Sequence, residues 1–276
     1  MYQTLINCRT LNGLLSGPDI VIVDCRFDLT DPAAGRRRYL ESHIPGAVYA
    51  GLEDHLSGPA GPGTGRHPLP DAERIRQVFS ELGFGKDTQV VAYDDMSGAF
   101  AARLWWMLRY MGHHACAVLD GGWQDWLAQG FAVEEGNVEP RAADFRGSPR
   151  PDRLLEIAEV TSLSCLVDAR DPVRYRGESE PLDPVAGHIP GAVNYFWQRN
   201  IDEDGRFRDA ADLRRDLLSV LGKTAPEEAG VYCGSGVTAC HNLLAAVHAG
   251  LAMPRLYAGS WSQWCADPKR PVATGE

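Results

Sequence analysis

Residues 43–48 read His-Ile-Pro-Gly-Ala-Val, and residues 188–193 repeat the same six letters. Two further landmarks flank each copy in the same order: an Asp-x-Arg upstream, at 24–26 and 168–170, and a Gly-x-Trp-x-x-Trp downstream, at 121–126 and 259–264. Three landmarks that recur in one order at similar spacing predict a tandem duplication, in which each half of the chain folds on the same plan.

Length and composition agree with two ordinary globular domains. The chain has 276 residues, above the ~250 at which a single core usually stops growing, so two domains of about 138 residues are expected. Hydrophobic residues make up 44% and charged residues 23%, which excludes a disordered, collagen-like or coiled-coil protein. The formal net charge of −10 disfavours nucleic acid and anionic membranes as partners.

The seven cysteines are scattered, and none lies in a CxxC pair or a Cys/His cluster with the spacing of metal ligands. An odd number of cysteines in a chain of this size predicts reduced thiols and a reducing compartment. The first residues lack the basic start and apolar run of a signal peptide, and no apolar stretch is long enough to span a bilayer. We therefore expect a cytoplasmic protein without a metal centre or a membrane span.

Short apolar runs alternate with segments of helical periodicity along each half. The runs typical of buried parallel strands are 20–23, 89–93, 116–119, 165–167, 230–232 and 255–257. Helical spacing covers 71–82, 99–111, 210–221 and 238–249. This alternation predicts an α/β fold of two tandem domains, each a mainly parallel sheet flanked by helices on both faces. We place the domains at 16–136 and 160–273, joined by a linker at 137–159.

The candidate reactive group is Cys233, in the loop Cys-Gly-Ser-Gly-Val-Thr-Ala (233–239) between a predicted strand and a predicted helix. Open α/β sheets bind ligands beyond the carboxyl ends of their strands, which is where this loop lies. The N–H groups and the dipole at a helix N-terminus stabilise a thiolate, and the glycines let successive N–H groups point inward as an anion-binding nest. Cys233 is therefore the predicted nucleophile. A buried structural role is expected for the cysteines within strands or the following helix: Cys25, Cys116, Cys165 and Cys240.

The first half lacks this thiol. Counting back from the tryptophan motif aligns Asp95 with Cys233, so the first copy is expected to be a scaffold that cannot perform the same chemistry. The motif histidines, His43 and His188, recur in both halves although only one half carries the nucleophile. We therefore interpret them, together with the Asp-x-Arg residues and the tryptophans, as structural.

These motifs resemble the tandem-domain sulfurtransferases of the rhodanese superfamily, and the resemblance extends over both halves. It implies two rhodanese-like domains, of which the second is catalytic. In that family the loop cysteine takes a sulfane sulfur from a small anionic donor, forms a persulfide and passes the sulfur to cyanide or a thiol, without a metal or an organic cofactor. Thioredoxin is one candidate protein acceptor. For this chain the resemblance implies a Cys233 persulfide cradled by the backbone N–H groups of Gly234, Gly236, Val237, Thr238 and Ala239.

The composition of the loop bears on the sulfur donor. Thiosulfate-using members of this architecture carry Arg and Lys directly after the cysteine, where this chain has Gly234 and Ser235. The neutral loop resembles instead the branch that uses 3-mercaptopyruvate, in which the serine belongs to a Ser–His–acid relay. The resemblance implies Ser235, His67 and Glu53 as this relay, with Asp54 as the adjacent alternative acid.

That branch also binds the substrate carboxylate with two arginines ahead of the second His-Ile-Pro-Gly. Arg174 matches the first arginine, but the spacing places Leu182 at the second. Leucine lacks the charge and the bidentate geometry of a guanidinium, so Arg176 or Arg66 would have to make this contact, or the donor would bind weakly. A thiosulfate-preferring enzyme and a non-turnover persulfide carrier or regulatory module therefore stay open as alternatives. A cysteine phosphatase is disfavoured, because its Cys-x5-Arg signature needs an arginine where this chain has Ala239.

Overall fold

Each half of the chain contributes one parallel sheet in the computed structural model, which describes residues 1–15, 17 and 19–276. The first sheet has the order β1-β5-β4-β2-β3, with strands Leu5–Ile6 (β1), Ile20–Asp24 (β2), Val48–Tyr49 (β3), Gln89–Tyr93 (β4) and Cys116–Leu119 (β5). The second has the order β7-β6-β8-β9, with strands Leu166–Asp168 (β6), Val193–Asn194 (β7), Gly230–Tyr232 (β8) and Arg255–Leu256 (β9). Every strand pair within these sheets is parallel, which confirms the predicted α/β class.

Helices flank both sheets. In the first half they are Cys8–Asn12 (α1), Ala34–Glu41 (α2), Ala72–Glu81 (α3), Ala101–Tyr110 (α4) and Gly122–Ala128 (α5). In the second half they are Pro172–Tyr175 (α6), Ala210–Leu221 (α7), Ala239–His248 (α8) and Ser260–Trp264 (α9). The predicted helices correspond to α3, α4, α7 and α8. No helix in the described part of the chain is long and apolar enough to cross a membrane.

The repeated landmarks build the same buried cluster in each sheet. Arg26 pairs with Asp24 at 2.6 Å and donates to the Ser42 carbonyl at 2.6 Å. Arg170 pairs with Asp168 at 2.6 Å and donates to the Gly187 carbonyl at the same distance. Each guanidinium also lies over a motif tryptophan, and each motif histidine lies within 2.8 Å of a carbonyl oxygen of the preceding helix. The structural interpretation of these residues is confirmed.

The two compact units do not follow the order of the chain. Unit 1 comprises Met1–Gly58, Pro70–Arg150 and Glu203–Phe207, and unit 2 comprises Pro59–Leu69, Pro151–Asp202 and Arg208–Glu276. The segment Pro59–Leu69 therefore comes from the first half of the sequence but packs in unit 2, which the repeat pattern does not predict. The boundaries 16–136, 137–159 and 160–273 stay a prediction, and residue 16 lies outside the described residues.

Candidate active site

Cys233 follows β8, whose neighbours on either side are β6 and β9. The cysteine is 1% exposed, its N–H donates to Ser260 Oγ at 3.1 Å and its carbonyl accepts from Trp261 N at 3.0 Å. Three residues on, Gly236 has a φ of +77°, and a Cβ placed there would lie 2.3 Å from the Ala258 carbonyl oxygen. Only glycine fits this position, because the backbone is left-handed and the neighbouring chain is too close for a side chain. The contacts of Cys233 with Ser260 and Trp261, and of Gly236 with Ala258, thus fix the loop against the segment around α9 before α8 begins at Ala239.

The first-unit counterpart of Cys233 is Asp94, and the alignment of Asp95 with Cys233 is wrong. Asp94 follows β4 directly, and its carbonyl accepts from Trp123 N at 2.9 Å, just as the Cys233 carbonyl accepts from Trp261 N. The first-unit loop carries one additional residue before its helix, with Ser97 and Gly98 both at positive φ. Counting back from the tryptophan motif therefore shifts the alignment by one position. Asp95 is instead paired with Arg38 at 2.5 Å.

Asp94 shows what such a loop can hold. Its carboxylate accepts four backbone N–H bonds of 2.8 Å, from Met96, Gly98, Phe100 and Ala101. Burial raises the pKa of Asp94 above its ordinary value, and these four donors oppose the rise. A loop of this kind ahead of a helix is therefore an anion cradle in unit 1. The corresponding cradle role of Gly234, Gly236, Val237, Thr238 and Ala239 around Cys233 stays a prediction.

Ser235 and His67 are brought together in unit 2. Ser235 Oγ lies 2.8 Å from His67 Nδ1, and both side chains are buried. His67 reaches the loop because Pro59–Leu69 packs against α9 and its preceding turn. The Arg66 N–H donates to Ser262 Oγ at 3.1 Å, and a Cβ on Gly65 would lie 2.5 Å from the Gly259 carbonyl oxygen.

Glu53, the predicted acid of the relay, lies in unit 1 in the loop after β3. Its side chain is exposed, as is that of Asp54, and both line a pocket with Arg36, Tyr49 and His55. The role of Glu53 or Asp54 beside His67 stays a prediction.

Two of the predicted arginines lie against the cysteine loop. A Cβ on Gly234 would be 2.9 Å from Arg66 Nη2 and 3.4 Å from Arg174 Nη2, so both guanidinium groups flank this residue. Arg174 is presented by the short helix α6, whose first turn is capped by the Asp171 side chain at Val173 N.

Arg176 and Leu182 are placed differently. Arg176 pairs with Glu178 at 2.7 Å and lies 3.9 Å from Glu276, and the structure does not bring it to the loop. Leu182 has a 42% exposed side chain. Of the predicted arginines, Arg66 and Arg174 therefore lie beside the cysteine loop, and the substrate-binding role of all three stays a prediction.

Two carboxylates of the site were missed by sequence reasoning. Asp183 binds both Arg66 and Arg174, the latter at 3.2 Å, and Glu180 binds Arg174 at 2.7 Å and Arg170 at 3.2 Å. The available signal was the mixture of acidic and basic residues between 170 and 183, which can indicate an internal charge network as well as a solvated loop.

Burial raises the pKa of several of the other thiols. All seven cysteines are described, buried and free of disulfides. Burial raises the pKa of Cys116 to about 12 and, together with the nearby Asp183 carboxylate, that of Cys265 to about 11. Burial and the adjacent Asp24 and Asp94 carboxylates also raise the pKa of Cys25 above its ordinary value. Such thiols stay protonated at neutral pH and are poor nucleophiles. Among the described residues, no group of three His, Cys, Asp or Glu side chains is placed to hold a metal ion.

The described chain forms two parallel α/β sheets, and the second carries the candidate nucleophile Cys233 in the loop between β8 and α8. Comparison with known proteins agrees with this description. The rhodanese-like domain family matches residues 8–129 and again residues 151–267. The chain therefore belongs to the rhodanese family.

Named relatives of similar length carry two different donors in their names. A probable 3-mercaptopyruvate sulfurtransferase of Pseudomonas aeruginosa is 47% identical over 99% of this chain and 98% of its own. A putative thiosulfate sulfurtransferase, SseB of Mycobacterium tuberculosis, is 39% identical over 99% of this chain and 98% of its own. Among solved structures, SseA from Escherichia coli, a 3-mercaptopyruvate sulfotransferase, superimposes with a TM-score of 0.81 at 31% identity, covering 95% of this chain and 100% of that one.

Proposed function

We propose that this protein is a sulfurtransferase that takes sulfur from 3-mercaptopyruvate onto Cys233 and passes it to cyanide or a thiol. The observation that carries the proposal is the 2.8 Å contact between Ser235 Oγ and His67 Nδ1, two residues from the candidate nucleophile. A Ser–His pair can supply a proton to the pyruvate enolate, the carbon anion that leaves when 3-mercaptopyruvate gives up its sulfur. The sulfite released from thiosulfate leaves as an anion and needs no proton. The 47% identical relative named for 3-mercaptopyruvate supports the same donor.

The first half-reaction is a displacement at sulfur. The Cys233 thiolate attacks the thiol sulfur of 3-mercaptopyruvate, the new S–S bond forms, and the C–S electron pair passes to carbon as the pyruvate enolate. The Ser235 hydroxyl, backed by His67, supplies the proton that converts the enolate to pyruvate. Glu53, or its neighbour Asp54, is the proposed acid that orients His67. The backbone N–H groups of Gly234 to Ala239 stabilise the negative charge on sulfur.

The second half-reaction returns the enzyme to its thiolate. The acceptor attacks the outer sulfur of the Cys233 persulfide, and the S–S electron pair returns to Cys233. A cyanide acceptor gives thiocyanate, and a thiol acceptor gives a new persulfide. Thioredoxin is a candidate protein acceptor, and the seven free thiols suit a reducing compartment such as the cytoplasm.

Arg174 and Arg66 are the proposed carboxylate-binding residues. Both guanidinium groups flank Gly234, so a donor whose sulfur contacts Cys233 would bring its carboxylate within their reach. Arg66 thereby replaces the arginine that the family resemblance places at Leu182. The ion pair of Arg176 with Glu178 gives no support to a substrate contact for Arg176.

The test is thiocyanate formation from cyanide with 3-mercaptopyruvate and with thiosulfate as donors. We expect a large preference for 3-mercaptopyruvate in the wild type and no turnover in Cys233→Ser, because an alcohol cannot replace the thiolate. Cys165→Ser is the matched control. Its sulfur lies 3.9 Å from the Val220 carbonyl, which a serine hydroxyl can also meet, so turnover should persist.

Each contrary outcome points to a different alternative. A preference for thiosulfate would mean that this protein uses the donor named for the 39% identical relative. Inactivity with both donors would favour a persulfide carrier or regulatory module. Normal turnover in Cys233→Ser would refute the role of this cysteine.

A further inference from the structure

The two arginines beside the cysteine loop are each held by a buried carboxylate. Asp183 bridges them, with Oδ1 bound to Arg66 Nη1 and Oδ2 lying 3.2 Å from Arg174 Nη2. Glu180 binds Arg174 through both carboxylate oxygens, at 2.7 and 3.1 Å. The side chains of Asp183 and Glu180 are 3% exposed, so their charges are poorly screened by water.

Counting charges through this network of arginines and carboxylates gives a net charge of zero beside the cysteine loop. The cations are Arg66, Arg170 and Arg174, and the anions are Asp168, Glu180 and Asp183, which sum to zero. Two arginines beside a cysteine loop would by themselves create a strong field for dianions. Here the guanidinium N–H groups beside Gly234 can still orient a donor by hydrogen bonding. The carboxylates meanwhile cancel most of the positive field of the arginines.

A neutral site discriminates between donors by their charge. 3-Mercaptopyruvate presents one negative charge to the arginines, and thiosulfate presents two. Removing one negative charge from the site would therefore strengthen the binding of both donors. The electrostatic energy gained by the dianion is about twice that of the monoanion, so the factor by which its binding increases is about the square of the factor for the monoanion.

We propose that Asp183 determines donor preference by cancelling one arginine charge, so that the site accepts a monoanionic carboxylate and disfavours a dianion. This inference rests on the proposed sulfurtransferase function and names the residue that sets its donor class. Both carboxylate oxygens of Asp183 bind arginines, so Asp183 acts through Arg66 and Arg174 and is a positioning and charge-setting residue.

The test compares Asp183→Asn and Asp183→Ser with the wild type, using kcat/KM for thiosulfate and for 3-mercaptopyruvate with cyanide as acceptor. Both substitutions remove the same negative charge, but asparagine keeps one acceptor oxygen for an arginine and serine is smaller. An effect seen in both variants is therefore due to the charge and not to the shape of the side chain. We expect the thiosulfate-to-mercaptopyruvate ratio to rise about tenfold or more in both variants, which is the scale of one unit charge a few ångströms from the donor. The thiosulfate value should also fall more steeply with added salt than in the wild type.

Glu178→Gln is the matched control. It removes one carboxylate from the same chain segment and changes the net charge equally, but Glu178 pairs with Arg176 rather than with Arg66 or Arg174. The donor ratio and its salt dependence should stay at wild-type values. Circular dichroism of each variant shows whether it is folded.

A second readout does not depend on turnover. Sulfate and pyruvate, as dianionic and monoanionic occupants, are tested for protection of Cys233 against alkylation by iodoacetamide, followed by mass spectrometry of the Cys233 peptide. We expect pyruvate to protect the wild type better than sulfate, and the Asp183 variants to shift towards sulfate.

The outcomes separate the two proposals. Folded Asp183 variants in which both donors change by the same factor, and in which the protection by the two anions is unchanged, would overturn the inference while leaving the sulfurtransferase function intact. A wild type inactive with both donors would refute the proposed function. In that case the protection experiment alone would decide whether Asp183 sets the charge selectivity of the site.

Discussion

At the scale of single residues, the contact between Ser235 and His67 is the observation on which the proposed proton transfer to the 3-mercaptopyruvate leaving group rests. Both side chains are buried, and the hydroxyl and imidazole are 2.8 Å apart, so a proton can pass between them without a solvent molecule. The family resemblance named both residues, and the structure adds the contact between their side chains. Their proposed role is to protonate the pyruvate enolate that leaves when Cys233 takes the sulfur of 3-mercaptopyruvate.

Replacing Ser235 by alanine should therefore affect the two donors unequally. We expect kcat with 3-mercaptopyruvate to fall about 100-fold, the usual scale of a lost proton-transfer group, because the enolate has lost its proton source. Turnover of thiosulfate should change much less, since sulfite leaves as an anion. Steady-state thiocyanate formation with each donor measures both effects.

Ser162→Ala is the control for this substitution. Its hydroxyl donates to the Glu159 carbonyl at 2.7 Å in an exposed turn, so its loss should leave both donors unaffected. An equal loss with both donors in Ser235→Ala would indicate a general distortion of the loop and would contradict the proton-transfer role.

At the scale of elements, the segment Pro59–Leu69 positions His67 and Arg66 by close backbone approach. Gly65 lies so near α9 that a Cβ there would be 2.5 Å from the Gly259 carbonyl oxygen and 3.0 Å from Ser262 Oγ. The backbone oxygen cannot move aside as a flexible side chain could. The absence of a side chain at Gly65 therefore keeps His67 in place.

Gly65→Ala should push this segment away from the loop. We expect a cost of roughly 1–3 kcal/mol in the free energy of unfolding, typical of overpacking, and a marked loss of 3-mercaptopyruvate turnover as His67 leaves Ser235. Gly61→Ala is the matched control on the same segment, because nothing lies within 4 Å of its added Cβ. Urea denaturation and donor kinetics of both variants test this, and equal behaviour of the two would rule out the proposed positioning.

The elements also show which features the sequence could reveal. Apolar runs and helical spacing sufficed for the strands β2, β4, β5, β6, β8 and β9 and for the long helices α3, α4, α7 and α8. The strands β1, β3 and β7 have only two residues each and lie outside the apolar runs, so they were missed, whereas the equally short β9 lies within the predicted run 255–257. Cys233 could be named as the candidate nucleophile because the glycine-rich loop, the strand before it and the helix after it are all visible in the local sequence.

Errors arose where a backbone conformation or a long-range contact decides the outcome. Asp95 was aligned with Cys233 because the extra residue near Ser97 leaves no mark in the spacing of the landmarks. Asp183 was missed because its partners, Arg66 and Arg174, are distant in sequence from each other. Side-chain pairing of this kind depends on the fold and cannot be read from a local pattern.

For the whole molecule, the unusual feature is that each unit contains a segment from the other half of the chain. Unit 2 includes Pro59–Leu69, and unit 1 includes Glu203–Phe207. Here His67 and Arg66 come from the half that has Asp94 in place of the cysteine, so the proposed roles of these two residues would give the first half a part in the reaction.

This reciprocal packing predicts that the chain tolerates a cut between its halves. A protease recognition sequence inserted between Arg150 and Pro151, both exposed, would yield fragments 1–150 and 151–276 on cleavage. We expect these fragments to stay associated and to retain sulfur transfer, because each carries a segment that packs in the other unit. On one side Gln263 Nε2 donates to the Gly63 carbonyl at 2.8 Å, and on the other Phe207 N donates to Asp120 Oδ1 at 2.8 Å.

Size-exclusion chromatography of the cleaved protein, with 3-mercaptopyruvate turnover measured on the eluted peak, tests this expectation. The same sample in guanidinium chloride is the control, since the fragments must separate once the segments unfold. Two separate peaks at micromolar concentration under native conditions would mean that the exchanged segments do not hold the halves together. Turnover by fragment 151–276 alone would contradict the roles of His67 and Arg66, because that fragment contains Cys233 and Ser235 but neither of their proposed partners from the first half.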